Sequence, residues 1–84
     1  MKIIKITASW CPSCLIMNSV IDDIISKHNI EMISYDFDLD DDKITKYNVG
    51  TILPVLIKVD DDDIEISRIV GEHKEKEIIE FIEG

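Results

Sequence analysis

Cys11 and Cys14 are the only cysteines in the chain, with Pro12 and Ser13 between them. The thiolate form of cysteine attacks disulfides and binds metals. The two-residue spacing lets both sulfurs meet without unwinding a helix, which suits thiol–disulfide exchange. Metal binding and an inert pair are the other readings. A structural zinc site takes four ligands, and only His28 and His73 could complete one. Their spacing fits no zinc pattern. A copper-chaperone pattern would place methionine two residues before the first cysteine, where Ser9 stands.

The surrounding pattern says which elements hold the pair. Lys2 to Ala8 is short and rich in isoleucine, the signature of a central strand. From Pro12 to His28, Ile16, Met17, Val20, Ile21, Ile24 and Ile25 recur at helical spacing. Pro12 suits the first helical turn, where its missing N–H costs nothing, and Asn29 can take a left-handed cap. The pair therefore sits where a strand turns into a helix. The unpaired N–H groups and partial positive charge of a helix start favour an anion there. That makes Cys11 the expected nucleophile. Cys14, one turn in, should be more buried and keep its proton longer. Pro12 and Ser13 are small enough to leave the nucleophile open to a large partner.

Further on, Glu31 to Leu39 alternates apolar and acidic residues, a strand with one buried face. Asp40 to Tyr47 reads as a short helix capped by Asp40 or Asp41, and Asn48 to Leu53 as a loop. Pro54–Val59 and Ile64–Val70 read as a hairpin across the acidic turn Asp60–Asp63. After Gly71, Glu72 to Glu83 is an amphipathic closing helix. The order is βαβ, a helical link, then ββα, in one domain over residues 1–84. The first unit requires parallel strands and a right-handed crossover.

Eighteen acids against nine bases give a net charge of −9 over 84 residues. Such a surface repels phosphate backbones and anionic membranes. No signal peptide or membrane-length apolar run is visible. The expected setting is the reducing cytoplasm, where a cysteine pair is more often catalytic or metal-binding than structural.

Trp10-Cys11-Pro12-Ser13-Cys14 after a strand, Leu53-Pro54 opening a later strand, and Gly71 before the last helix resemble the thioredoxin superfamily in its short, glutaredoxin-sized form. The resemblance covers nearly the whole chain. It implies an α/β, thioredoxin-like fold with a four-stranded mixed sheet in the order 2-1-3-4 and helices on both faces. It also implies a cis bond at Leu53-Pro54, with the Leu53 backbone pairing with an extended substrate segment. The implied activity is reduction of protein disulfides, with catalytic Cys11 and Cys14 and substrate-binding Trp10, Pro12, Leu53 and Pro54. Its partners would be disulfide-containing proteins and a separate reductase that returns the electrons. No bound cofactor is called for, and the expected state is a monomer.

Three departures accompany the resemblance. The family's buried aspartate, six residues before the first cysteine, is replaced by Lys5. The kinking proline of the first helix is replaced by Ser19, and the loop into Pro54 is one residue longer than in thioredoxins. The glycine-glycine-aspartate segment with which glutaredoxins bind glutathione is matched in one glycine only, at Val70-Gly71-Glu72-His73. A glutathione-linked enzyme and a non-catalytic metal-binding module remain the alternatives.

Other residues carry plainer expectations. Trp10 is a partly exposed aromatic, either part of a docking face or packed on the sheet. Lys5 lays its stem along the sheet and sends its charge to water, although it could also favour a thiolate through space. His28 is a helix-end cation and His73 is exposed. Tyr35 and Tyr47 belong to the core or its rim. Asp36, Asp38 and Asp40 are a solvated acidic face. A calcium loop would need glycine and glutamate where Asp41 and Tyr47 stand.

Overall fold

The computed structural model describes residues 1–84. Its elements run β1 (Lys2–Thr7), α1 (Pro12–His28), β2 (Glu31–Asp36), α2 (Asp41–Ile44), a 3-10 turn (Thr45–Tyr47), β3 (Val55–Val59), β4 (Glu65–Val70) and α3 (Glu75–Glu83). The sheet order is β2-β1-β3-β4, as the resemblance implies. β1 pairs parallel with β2 and antiparallel with β3, and β3 pairs antiparallel with β4.

Alternation along β1 divides the core. Ile4, Ile6 and Ala8 face one side with Val55, Ile57 and Val59 of β3, under Ile44 of α2 and Tyr47. Ile3 and Leu56 face the other, where α1 supplies Met17, Ile21, Ile24 and Ile25 and α3 supplies Ile78 and Ile82. The helices thus cover both faces. Every residue of β3 is buried. β1 and β3 are the inner strands, so the cysteine loop at the end of β1 and the proline loop before β3 lie side by side.

α1 is a single helix across Ser19 and closes on Asn29 in the left-handed conformation (φ 54°). Its apolar stripe is narrower than the spacing suggests: Ile16 is exposed.

The predicted strand to Leu39 ends at Asp36 instead. There the side chains compete with the ladder. The Asp36 carboxylate accepts the N–H groups of Asp38 and Leu39 at 2.9 and 3.0 Å, while the Asp36 N–H donates to Asp40 Oδ2 at 2.9 Å. The chain turns, leaving Leu39 exposed. Asp40 precedes α2 but makes no side-chain cap bond; its carboxylate serves this turn.

The last helix starts at Glu75, three residues later than predicted. Gly71 takes φ 84°, His73 Nε2 meets the Val70 carbonyl at 3.0 Å, and the Lys74 N–H donates to Glu77 Oε1 at 2.9 Å. That last bond holds the Glu77 carboxyl below its usual range. No helix is long and apolar enough to cross a membrane.

Candidate active site

β1 delivers the chain to the cysteines, and α1 begins between them. Cys11 is the N-cap residue, with extended backbone (φ −97°, ψ 108°), and Pro12 opens the helix. The Cys14 N–H donates to Cys11 Sγ at 3.2 Å, and the Cys11 N–H donates to the Ala8 carbonyl at 3.2 Å. One of the helix's orphan donors is therefore aimed at the sulfur, which takes the place of a capping oxygen. Both cysteines are free thiols, so the site is in its dithiol form.

Cys14 is 1% exposed and Cys11 5%. Cys11, the expected nucleophile, is therefore less open than its small neighbours suggest. Its sulfur packs under Leu53 and reaches that residue's carbonyl oxygen at 3.6 Å. Burial, reinforced by hydrogen bonding to Cys11, pushes the Cys14 thiol up to about 11. Cys14 is thus held protonated in the resting protein, as its place inside the helix predicts.

Leu53-Pro54 is a cis peptide, and both residues are buried. The Pro54 carbonyl accepts the Gly71 N–H at 2.8 Å, and Ile52 rests on Gly71, where an added Cβ would lie 3.3 Å from Ile52 Cγ2. The Leu53 N–H donates to no carbonyl in the chain.

Trp10 is 53% exposed. Its Nε1 donates to Asp38 Oδ2 at 2.7 Å, and its ring meets Phe37 edge-on, 5.9 Å between centroids. The turn after β2 therefore orients it. The sequence reading placed Asp38 on a solvated acidic face and missed this contact. Pro12 is exposed as expected, and the apolar Leu15, Ile16 and Ile52, which the sequence did not single out, are exposed around the same helix end and proline loop. An open cleft of about 470 Å³ borders Phe37 and Asp38 and extends to Asp41, Ile44, Thr45, Asn48 and Val49.

Lys5 departs from expectation. It is buried, on the α1 side of β1, and its Nζ lies 3.1 Å from Asp22 Oδ1. Its strand position turns inward, and Asp22 on α1 supplies the counter-charge. Tyr47 is buried in the same cluster as the cysteines. The histidines lie elsewhere: His28 Nδ1 meets the Ile24 carbonyl at 2.9 Å and its Nε2 is 3.4 Å from Glu83, while His73, half-buried rather than exposed, sits by Val70 and Glu77. No three histidine, cysteine or acidic side chains gather in a metal-holding group.

The family model "Thioredoxin" matches residues 1–84. The chain belongs to the thioredoxin family. Among solved structures it is similar to thioredoxin 1 of Thermosipho africanus, at 26% identity and a TM-score of 0.86 over 99% of this chain and 91% of that one. It also resembles Fasciola hepatica thioredoxin (22% identity, TM-score 0.80, 98% and 79% covered) and a mutant thioredoxin from Halobacterium salinarum (21%, 0.85, 96% and 70%). No curated protein matches the sequence. Family, fold and the adjacent cysteines together support thiol–disulfide oxidoreductase chemistry in general.

Proposed function

We propose that this protein reduces disulfides in other proteins by dithiol exchange. The observation that carries the reading is the placement of the two sulfurs. Cys11 Sγ caps α1 and receives the Cys14 N–H, while Cys14 lies behind it, buried and protonated. Cys11 attacks as a thiolate. It forms a bond to one sulfur of the substrate disulfide, and the other sulfur leaves as a thiolate and takes a proton from solvent. Cys14 then loses its proton and attacks Cys11 Sγ. The mixed disulfide breaks, the second substrate thiol departs reduced, and Cys11–Cys14 is left oxidised.

The proline loop supports the same reading. The unpartnered Leu53 N–H lies at the end of a strand and beside the nucleophile, where an extended substrate segment could pair with it as an added strand. Trp10 offers an aromatic anchor next to it. The substrates would be disulfide-containing proteins, and a separate reductase in a reducing compartment would return the electrons to a monomeric carrier.

The test is insulin-disulfide reduction with dithiothreitol as electron source. The protein should accelerate precipitation of the insulin chains, and Cys11→Ser should remove that acceleration. Cys14→Ser should accumulate a mixed disulfide that runs as a heavier species without reductant. Equal rates with and without Cys11 would end the catalytic reading.

A further inference from the structure

The cleft beside Asp38 takes no part in the exchange steps. Its floor is apolar: Ile44 is buried in the cluster that holds Cys11 and Leu53, and Phe37 and Val49 pack against that cluster. Its edge carries two carboxylates, Asp38 and Asp41, and no cation. Three aspartates around it are committed. Asp36 accepts the N–H groups of Asp38 and Leu39, Asp38 holds the Trp10 indole, and Asp40 takes the Asp36 N–H and lies 3.7 Å from Lys43. Asp41 bonds through its backbone alone. Its carbonyl accepts the Thr45 hydroxyl at 2.6 Å, while its carboxylate meets no donor and no cation. The chain's own lysines do not fill the gap. Lys43 lies over the Tyr35 ring and Lys46 over the Tyr47 ring, 5.9 and 5.1 Å from the centroids. No third acid, histidine or cysteine joins Asp38 and Asp41 in a metal-holding group. An apolar floor with an unengaged carboxylate at its edge suits a lysine or arginine side chain. Such a side chain lays its methylene stem on apolar surface and keeps its charge at the rim. The net charge of −9 draws cationic segments toward the protein in the first place.

We propose that this cleft is a specificity pocket for a basic side chain of the substrate, with Asp41 as the residue that receives the cation. The proposal rests on the dithiol-exchange reading above and names which disulfides it favours. A segment lying along Leu53 brings its cysteine to Cys11 Sγ, 3.6 Å from the Leu53 carbonyl. Trp10 adjoins Cys11 in the chain and reaches Asp38 through its indole, so the cleft opens next to that segment. Extended chain advances about 3.3 Å per residue, and a lysine or arginine a few positions from the cysteine spans the remaining gap. Asp38, already bonded to Trp10, adds its field. Asp41 acts on binding and orientation and takes no part in electron transfer. Disulfides flanked by acids are disfavoured at the same place, because like charges meet there.

The test uses short disulfide-linked peptide dimers with one cysteine per strand. Lysine is moved through the three positions on either side of the cysteine, and norleucine, which keeps the stem without the charge, replaces it in matched peptides. Each rate of reduction is divided by the rate of the same peptide with dithiothreitol, which cancels any effect of lysine on the disulfide itself. At one position or two adjacent ones, lysine should exceed norleucine about threefold, the scale of an open ion pair. Asp41→Asn should abolish the preference and Asp41→Glu should keep it. Asp42→Asn makes the same change of charge at an exposed residue outside the cleft, and should also keep it. No lysine preference at any position, or its equal loss in Asp42→Asn, would overturn the pocket. A second measurement needs no turnover. The lysine peptide with serine in place of cysteine should shift the backbone amide signals of Thr45 and Asn48, which line the cleft, and should not do so in Asp41→Asn. Peptides reduced without these shifts would sink the pocket and leave the exchange reading standing. Shifts without reduction of any peptide would strike the exchange reading and leave the pocket.

Discussion

Cys11 Sγ lies 3.6 Å from the carbonyl oxygen of Leu53, so the helix that begins at one loop and the strand that begins after the other meet at a single sulfur. The contact explains why Cys11 is only 5% exposed. It also puts Leu53, whose N–H is unpaired, beside the sulfur proposed to react. A substrate segment lying along Leu53 would be brought directly over Cys11, and orientation of this kind lowers the barrier without any new chemical group.

The two thiols should therefore differ in reactivity although both are nearly buried. Cys11 receives an N–H bond at the helix start, while Cys14 is protonated and 1% exposed. Brief treatment of the reduced protein with iodoacetamide near neutral pH, followed by peptide mass mapping, should find the label on Cys11 at least tenfold more than on Cys14. Equal labelling would mean that α1 does not distinguish its two sulfurs.

Stability should depend on Cys14 at alkaline pH. Its thiol moves from 9.0 up to about 11 on folding. Between those values the folded chain holds a proton that the unfolded chain has lost, so stability falls as pH rises. Below about pH 9 both states are protonated and the full stability is present. By pH 11 the loss should be on the order of 2 kcal/mol. Urea midpoints of the reduced protein should decline across that window, and the decline should be shallower in Cys14→Ala, which has no thiol to titrate.

Much of this was legible in the residues, for physical reasons that also mark where legibility ends. Pro12, Asn29 and Gly71 each allow or forbid particular backbone angles, so the start of α1, its left-handed cap and the break before α3 could be read locally. The short isoleucine-rich run of β1 gave its inner position. Leu39 was misread because an alternating pattern does not reveal that Asp36 and Asp40 will bond the backbone of their own turn. Ile16 recurs at helical spacing yet is exposed, because periodicity counts apolar residues and not the width of the surface that covers them. Asp38 and Lys5 were missed for a common reason: each acquires its role from a partner far along the chain, Trp10 in one case and Asp22 in the other. The burial of Cys11 likewise depends on Leu53, which only the sheet order brings near.

The Trp10–Asp38 contact offers a direct reporter. Trp10 is the only tryptophan, so fluorescence reads this rim alone. Asp38→Ala removes the acceptor for its Nε1 but leaves Phe37 at the ring. Both partners are solvent-exposed, so the cost in global stability should stay below about 1 kcal/mol. Fluorescence anisotropy should fall as the ring gains freedom, and KM for insulin should rise while kcat holds. Unchanged anisotropy would show that Phe37 alone fixes the ring.

The central strand leaves less room for change. Ile57 is 0% exposed and stands opposite Ile4 of β1 on the side closed by Ile44 and Tyr47. Truncation to alanine removes three carbon atoms from a site that four surrounding strands and turns hold in place. Collapse around the gap is therefore limited, and the expected loss is about 3–4 kcal/mol, toward the upper part of the range for such changes. A domain of this size holds only a modest reserve of stability. Ile57→Ala should therefore lower the urea midpoint severely and leave a measurable unfolded fraction near 37 °C. Ile57→Val, which keeps the branched shape, should cost only about 1 kcal/mol. Similar midpoints for the two variants would mean that the layer beneath α2 is loosely packed and that the cysteine loop it supports is held by other contacts.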